Sequence, residues 1–212
     1  MSWLKQLAMN LPGWKYGKIG RKTGSPSFNG VLYRLEDDPS KLVKFTLTNK
    51  TMFDNEVTGL KIAQSKGNPV KLYWSADVTV ANAKNTFKGY KSGPAFIGIL
   101  VMNDFFYESD EHGDLNDFVK RHPGAKPMFM SEIKRMIKTF GFSHGDLHPG
   151  NIIYRRKGDR IDVAIIDFGY ASGSLNGQAN FVNKLGRPTH VNKNNPLVHR
   201  VKNSWYLNHW YI

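Results

Sequence analysis

Three side chains that could support phosphate transfer lie in one short stretch of the sequence. Asp146 lies in the turn at residues 144–150, and Asn151 and Asp167 follow it. A carboxylate such as Asp146 can orient a hydroxyl group and accept its proton as a general base. Carboxylate and amide oxygens are hard ligands that suit Mg²⁺. We therefore predict that Asp146 is a base and that Asn151 and Asp167 hold a metal ion.

Two apolar runs predict the hairpin that positions these ligands. The runs are residues 152–154 and 161–166, and a Gly-Asp turn lies between them. With the turn centred near Asp159, Asn151 faces Asp167 across the open end, where neighbours lie about 5 Å apart. Turn and strand caps would explain each polar residue singly, but they do not explain the spacing and the hairpin symmetry together.

The two motifs resemble those of the protein-kinase-like superfamily, whose catalytic loop reads H-x-D-x-x-x-x-N and whose metal-binding motif reads D-F-G. The chain reads HGDLHPGN from His144 and DFG from Asp167. The resemblance implies that Asp146 is the catalytic base, that Asn151 and Asp167 bind the metal, and that His144 and Phe168 are packing supports. ATP and Mg²⁺ are the implied cofactors.

The same family uses a lysine on its third strand and a helical glutamate that positions it. Lys44 matches the lysine, and Glu56 matches the glutamate. Glu56 falls on the apolar helical stripe of Phe53, Val57 and Leu60, where a buried carboxylate needs a cationic partner. Lys44 would be that partner. The alternative is an exposed lysine and a glutamate that touches water.

The loop that would cover the phosphates departs from the family pattern G-x-G-x-x-G. It is predicted to bind the nucleotide through Gly24, Ser27, Phe28, Gly30 and Val31. Backbone N–H groups of such a loop can bind phosphate, although a plain hairpin connection remains the alternative. Met102, in the segment 102–104, is predicted to lie at the hinge where adenine binds.

The remaining elements indicate an α+β, bilobal protein-kinase-like fold in a single domain of residues 1–212. Strand patterns occur at residues 16–19, 31–35, 41–47, 70–74 and 95–102, with one helix after residue 51. Residues 15–103 would form an N-lobe with an antiparallel sheet. Residues 104–212, with helical patterns at 114–121 and 128–140, would form a truncated, mainly helical C-lobe.

Composition limits the class of protein further. The 212 residues include no cysteine, which excludes disulfides, thiolate nucleophiles and cysteine-based zinc sites. No apolar run approaches the roughly 20 residues of a membrane span, and no secretion signal is recognised. We expect a cytoplasmic protein, located in the host cytoplasm or the virion if the chain is viral.

The chain is strongly basic, with a net charge of +13, and no Asp or Glu follows Asp167. The segment after it carries Lys184, Arg187, Lys193, Arg200 and Lys202. Such charge favours contact with a polyanion, for example nucleic acid. The alternative is an ordinary solvated basic face.

The acceptor of the phosphate stays open. His148 stands two residues after Asp146, where many Ser/Thr kinases have a lysine, and the HGDLHPGN loop also resembles that of aminoglycoside and choline phosphotransferases. Neither an A-P-E motif nor the acidic residue that braces the kinase loop follows Asp167. Three hypotheses result: a minimal, viral-type Ser/Thr kinase, a small-molecule hydroxyl kinase, and a pseudokinase scaffold that binds polyanions.

We favour the protein kinase with a protein substrate. The presence of Lys44, Glu56, Asp146, Asn151 and Asp167 together argues against a scaffold. A site for a cationic aminoglycoside or choline needs carboxylates, and the last part of the chain supplies none.

Overall fold

A computed structural model describes residues 2–23, 30–83, 87 and 93–172. Over these residues the chain is α+β, which confirms the predicted class. The chain divides into two compact units. The first comprises the described residues up to Phe53 and those of Val70–Tyr107, and the second comprises Asp54–Pro69 and the described residues from Glu108 onward. A lobe boundary at residues 103 and 104 stays a prediction.

The first unit is a helix and a five-stranded antiparallel sheet. Its elements are α1 (Trp3–Met9), β1 (Ile19–Thr23), β2 (Gly30–Leu35), β3 (Lys41–Thr48), β4 (Leu72–Val80) and β5 (Ala95–Asn103). The strands lie in the order β1-β2-β3-β5-β4. β5 lies inside the sheet and contains a long apolar run, residues 95–102, most of which is buried.

The strands of this sheet place alternate side chains on opposite faces. One face forms a core with Leu4 and Ala8 of α1, and it contributes Val31, Tyr33, Val43, Phe45, Ile97, Ile99 and Val101. The other face carries Lys44, which lies opposite Leu32 of β2, and Leu42, which lies opposite Met102 of β5. Lys44 therefore lies on the face away from α1.

The second unit contains most of a long helix and a small sheet. The elements are α2 (Lys50–Ser65), which starts in the first unit, β6 (Glu111–Asp114), α3 (Leu115–Arg121), α4 (Lys126–Phe140), β7 (Ile152–Lys157) and β8 (Arg160–Ile165). The three strands are antiparallel in the order β6-β7-β8. Asp114 and Asp117 form a capping box that starts α3, and Gly141 ends α4 in the left-handed conformation.

A partly buried polar cluster joins β6, α3 and β7 in the second unit. The Glu111 carboxylate accepts hydrogen bonds from the Tyr154 hydroxyl at 2.6 Å and from Nε2 of His122 at 2.8 Å. Arg121 also donates to the Tyr154 hydroxyl, at 3.1 Å. These bonds, that from Tyr154 foremost, lower the pKa of Glu111 to about 2, so the carboxylate is ionised at neutral pH. The cluster anchors β7, the strand that follows Asn151.

Two predicted boundaries are wrong. A strand was predicted at residues 16–19, but β1 spans Ile19–Thr23. Tyr16 packs instead against Trp14, with ring centroids 5.6 Å apart, and Gly20 allows β1 to approach the Arg34 carbonyl closely. β4 begins two residues later than predicted and is longer. α1 and β6 were not predicted, although the apolar residues of α1 recur at helical spacing.

None of the helices in the described part of the chain is long and apolar enough to cross a membrane.

Candidate active site

The hairpin of β7 and β8 places Asn151 opposite Ile166, the residue directly before Asp167. Ile152 lies opposite Ile165, and Lys157 lies opposite Arg160, so the turn contains only Gly158 and Asp159. Asn151 therefore faces Ile166, whose N–H donates to the Asn151 carbonyl at 3.0 Å. The prediction that Asn151 faces Asp167 is wrong by one residue. Gly158 has φ 60°, a conformation that two-residue hairpin turns require.

The turn between Asp146 and Asn151 is closed by hydrogen bonds within itself. Nδ2 of Asn151 donates to the Asp146 carbonyl at 2.9 Å, and the Asn151 N–H donates to the His148 carbonyl at 2.9 Å. Asn151 is only 5% exposed. Because Nδ2 is used for the turn, Oδ1 is the atom of this amide that remains to bind a cation.

His144 connects residues 144–150, the turn that carries the predicted base and is called the catalytic turn below, to the strand end before Asp167. Nε2 donates to the Ile166 carbonyl at 2.9 Å, and Nδ1 accepts a longer bond of 3.4 Å from the Asp146 N–H. Burial lowers the pKa of His144 to about 4, although the Ile166 carbonyl and the charge of Asp167 favour protonation. The ring is therefore neutral and acts as a positioning group.

Asp167 adopts a left-handed backbone conformation, with φ 65°. This region is uncommon for any residue other than glycine. It costs about 1–3 kcal/mol and persists only where surrounding contacts enforce it, which is common at active sites. The next residue, Phe168, is fully buried. Its ring lies 4.9 Å from that of His144 and 5.7 Å from that of Phe142, measured between centroids.

The residues after Phe168 return to the catalytic turn through backbone contacts. Ser143 and Ser172 form an antiparallel bridge with N–O distances of 3.3 and 3.0 Å. Gly145 has φ 78°, and a Cβ at this position would lie 2.1 Å from the Tyr170 carbonyl oxygen. Glycine is therefore required between His144 and Asp146, because the following segment packs directly on the backbone there.

Tyr170 and His148 lie near the predicted base. Burial, together with the charges of Asp146 and Asp167, raises the pKa of Tyr170, although 45% of this residue is exposed. Nε2 of His148 lies 3.8 Å from Oδ2 of Asp146, which is too far for a hydrogen bond. Nδ1 of His148 accepts from the Gly150 N–H at 3.1 Å. The imidazole of His148 therefore directs Nε2 towards the Asp146 carboxylate.

The residues at this end of the hairpin fit a magnesium ion. The amide oxygen of Asn151 and the carboxylate of Asp167 are hard oxygen ligands, and a Mg²⁺ site of this kind uses one or two such groups together with phosphate and water. Among the described residues, no group of three or more His, Asp or Glu side chains is arranged to hold a metal ion. A site with two protein ligands is compatible with that finding.

The first unit holds the predicted nucleotide-binding residues that lie within the described part of the chain. Lys44, Leu42 and Met102 share one face of the sheet with Leu32. Val31 lies on the opposite face, packed in the core that includes Phe45. Leu32 is the residue of β2 that lies opposite Lys44, and the predicted contact of Val31 with the nucleotide stays a prediction.

The other predicted residues are placed as follows. Gly30 is the first residue of β2, whereas Gly24, Ser27 and Phe28 lie outside the described residues. Glu56 lies on α2 and is 3% exposed, so its carboxylate does not lie open to water. Its pairing with Lys44 stays a prediction.

Two contacts of the DFG segment were not predicted from the sequence. Gly59 of α2 lies against Phe168, such that a Cβ at residue 59 would be 2.5 Å from the Cβ of Phe168. The side chain of Asn68, just after α2, binds the backbone of Ile165. A glycine inside a helix and the sequence Gly67-Asn68-Pro69 were the available signals.

The family described as the ABC1 atypical kinase-like domain matches residues 125–185, a segment that contains Asp146, Asn151 and Asp167. The match covers less than a third of the 212 residues. No curated protein matches the chain. The family match supports a place in the protein-kinase-like superfamily, and with it a kinase-like phosphotransferase or a pseudokinase. A kinase-like domain implies the use of ATP and Mg²⁺ in general.

Proposed function

We propose that this protein transfers the γ-phosphate of ATP to a hydroxyl group, and that the acceptor is a Ser or Thr residue of a protein. One observation carries the proposal. The amide of Asn151 is bonded to the backbone of Asp146 at 2.9 Å, and its opposite neighbour in the hairpin directly precedes Asp167. The proposed base and the two proposed metal ligands are thus joined by short backbone links, and this supports the proposal because phosphate transfer requires such positioning.

Each residue has a distinct role in the proposed reaction. The Asp146 carboxylate orients the acceptor hydroxyl and takes its proton as the hydroxyl oxygen bonds to the γ-phosphorus. The bond from that phosphorus to the bridging oxygen breaks in the same transfer, and ADP leaves. Lys44 holds the α- and β-phosphates, and Glu56 is proposed to position it. Oδ1 of Asn151 and the Asp167 carboxylate would hold Mg²⁺, which when bound neutralises negative charge on the phosphates.

His148 replaces the lysine that many Ser/Thr kinases have two residues after the base. Its Nε2 lies 3.8 Å from the Asp146 carboxylate, so the ring lies beside the position of the acceptor hydroxyl. We propose that it donates a hydrogen bond to the substrate, which a neutral imidazole can do from Nε2. A fixed positive charge is then not needed at this position.

A small-molecule acceptor is the second candidate, because the HGDLHPGN loop also resembles that of aminoglycoside and choline phosphotransferases. Those acceptors are cationic, and a cation-binding site needs carboxylates. The sequence after Asp167 contains none, which favours a protein acceptor. The third candidate is a scaffold without transfer activity. Cytoplasmic location and contact with a polyanion through Lys184 to Lys202 remain proposals alongside these.

Labelled ATP tests the proposal directly. The full chain is incubated with γ-labelled ATP and Mg²⁺, alone and with basic proteins, acidic proteins or amino-alcohols. We expect label on Ser or Thr of a protein, and we expect Asp146→Asn to lower transfer by about 10²–10⁴-fold because the base is lost. Asp159→Asn, the same change in the exposed hairpin turn, is the control and should leave transfer unchanged.

The results separate the three candidates. Label on amino-alcohols but not on proteins would replace the protein kinase with a small-molecule kinase. ATP binding without transfer to any acceptor would exclude both enzymes and leave the scaffold. Transfer that survives in Asp146→Asn would show that the assigned base is wrong.

A further inference from the structure

The side chain of Asn68 is bonded to both backbone groups of one residue in β8. Nδ2 donates to the Ile165 carbonyl at 2.9 Å, and Oδ1 accepts from the Ile165 N–H at 3.1 Å. Asn68 is 3% exposed and Ile165 is fully buried. β8 is an edge strand of its sheet. The amide of Asn68 therefore occupies the place that a neighbouring strand would take beside Ile165.

The local sequence explains why Asn68 points in this direction. Gly67 adopts φ 97°, and the Asn68 N–H donates to the Ala63 carbonyl at 2.8 Å. This bond pattern, with glycine in the left-handed region, ends helices in a Schellman motif. Pro69 follows and prevents the helix from continuing. The end of α2 is thus a rigid turn that fixes the backbone from which the Asn68 amide projects.

Ile165 stands two residues before the proposed metal ligand Asp167. The residue between them, Ile166, is bonded on the side of β8 that faces β7, because its N–H donates to the Asn151 carbonyl and its carbonyl accepts from Nε2 of His144. On the opposite side of β8, the Asn68 amide is bonded to the backbone of Ile165. A backbone fixed on both sides up to Ile166 leaves Asp167 little freedom to leave its left-handed conformation.

The same helix also holds the other side of Asp167. Gly59 of α2 lets Phe168 approach so closely that no Cβ fits between them. Ile165 and Phe168, which lie on either side of Asp167, are thus both in contact with the segment from Gly59 to Asn68. If Asn68 only capped the edge of β8, the close contact of α2 with Phe168 would not be required.

We infer that Asn68 is a positioning residue that holds the Asp167 carboxylate in place for the metal ion. The inference rests on the proposed role of Asp167 as a metal ligand. It makes the end of α2 part of the catalytic machinery, although Asn68 touches neither the metal nor the substrate.

The test compares Asn68→Asp with a matched change elsewhere in the second unit. Asn68→Asp keeps the size and the acceptor, but it loses the donor and sets a carboxylate oxygen against the Ile165 carbonyl. Asn116→Asp makes the same change at an exposed position of α3. Ile133→Ala, in the buried side of α4, controls for lost stability. Asn68→Ser is the milder variant if Asn68→Asp does not fold.

Three quantities are measured on the full chain: hydrogen exchange of the Ile165 amide, the affinity for Mn²⁺ in the presence of ADP, and the affinity for ADP without metal. In Asn68→Asp we expect faster exchange at Ile165 and a loss of Mn²⁺ affinity of about tenfold, the lower end for residues that orient a metal ligand. ADP affinity without metal should stay unchanged. Asn116→Asp should change none of the three.

Faster exchange at Ile165 with unchanged Mn²⁺ affinity would overturn the inference. So would an equal loss of Mn²⁺ affinity in Ile133→Ala at the same melting temperature. If the natural chain transfers phosphate and the Asn68 variants bind Mn²⁺ normally, only the inference is wrong. If the variants bind Mn²⁺ more weakly but the natural chain transfers no phosphate, only the proposed function is wrong. If the natural chain does not bind Mn²⁺ with ADP, both are wrong.

Discussion

His144 shows how a buried residue can hold the proposed catalytic residues in place without taking part in the proposed chemistry. Its imidazole accepts from the Asp146 N–H and donates to the Ile166 carbonyl, so it links the base to the strand end that precedes Asp167. The bond from the Asp146 N–H requires the neutral ring, since a protonated Nδ1 could not accept, whereas Nε2 can donate to the Ile166 carbonyl in either form. Burial keeps the ring neutral by lowering its pKa to about 4.

This lowered pKa predicts a loss of stability in weak acid. Between about pH 6.5 and pH 4, the unfolded chain binds a proton at His144 that the folded chain does not, so the free energy of unfolding falls as the pH falls, by about 3 kcal/mol over the window. Urea denaturation across this range measures the change. His144→Phe should be less stable at neutral pH and should lose most of this pH dependence.

His112→Gln is the control for the acid loss, because His112 is an exposed histidine of the same unit. It should keep the pH dependence of the natural chain. An unchanged slope in His144→Phe would show that other groups cause the loss.

At the scale of elements, the contact between the catalytic turn and the segment after Phe168 depends on one glycine. Gly145 and Gly141 have almost the same φ, 78° and 75°, but a Cβ at residue 145 would meet the Tyr170 carbonyl at 2.1 Å, whereas nothing lies within 4 Å of one at residue 141. An alanine would therefore meet the same backbone strain at both positions, and only at residue 145 would its Cβ also clash with a neighbouring atom.

Alanine at each position separates the two effects. Gly141→Ala should lower the free energy of unfolding by about 1–2 kcal/mol from the left-handed backbone alone. Gly145→Ala should lose a further 1–3 kcal/mol, roughly, because the segment after Phe168 must move, and phosphate transfer should fall with it. Chemical denaturation and the labelled-ATP assay measure the two losses. Equal stability of the variants would mean that the Tyr170 contact is not tight.

The sequence predicted the elements of the site better than their register. The apolar runs on both sides of Gly158 and Asp159 were enough to predict the hairpin, since alternating apolar residues around a turn form one. Whether the turn has two or three residues depends on backbone conformation, and a shift by one residue placed Ile166 opposite Asn151.

The side-chain contacts between distant segments could not be predicted from the sequence. Asn68 and Ile165 are far apart in the chain, and a Gly-Asn-Pro sequence predicts only that a helix ends there. Gly59 likewise indicated a weak point in a helix, and not a close approach of Phe168. Such contacts depend on how elements pack within the second unit, which local patterns do not specify.

At the scale of the whole molecule, the α+β class was predictable because helical and strand periods alternate clearly along the chain. The kinase-like character was predictable from two short motifs, and the family match at residues 125–185 agrees with it. The net charge of +13 is also a property of the whole chain. It predicts attraction to polyanions that salt weakens.

The basic segment after Ser172 gives this attraction a test, although its residues lie outside the described part of the chain. We expect the full chain to bind heparin or single-stranded DNA, and we expect the affinity to fall steeply with added salt because bound counterions are released. A chain that ends at Ser172 should lose most of this binding. Its melting temperature serves as the control for folding. Equal binding by both chains would place the polyanion site elsewhere.

The backbone contacts of His144 and His148 also make the catalytic turn observable by NMR spectroscopy without a ligand. A backbone N–H can only donate, so Nδ1 is the acceptor nitrogen in both rings, and Nε2 carries the hydrogen in the neutral form. Nitrogen chemical shifts distinguish the two tautomers of histidine. The two imidazoles on either side of Asp146 are therefore built-in spectroscopic reporters, which would register nucleotide, metal or acceptor binding before the natural acceptor is identified.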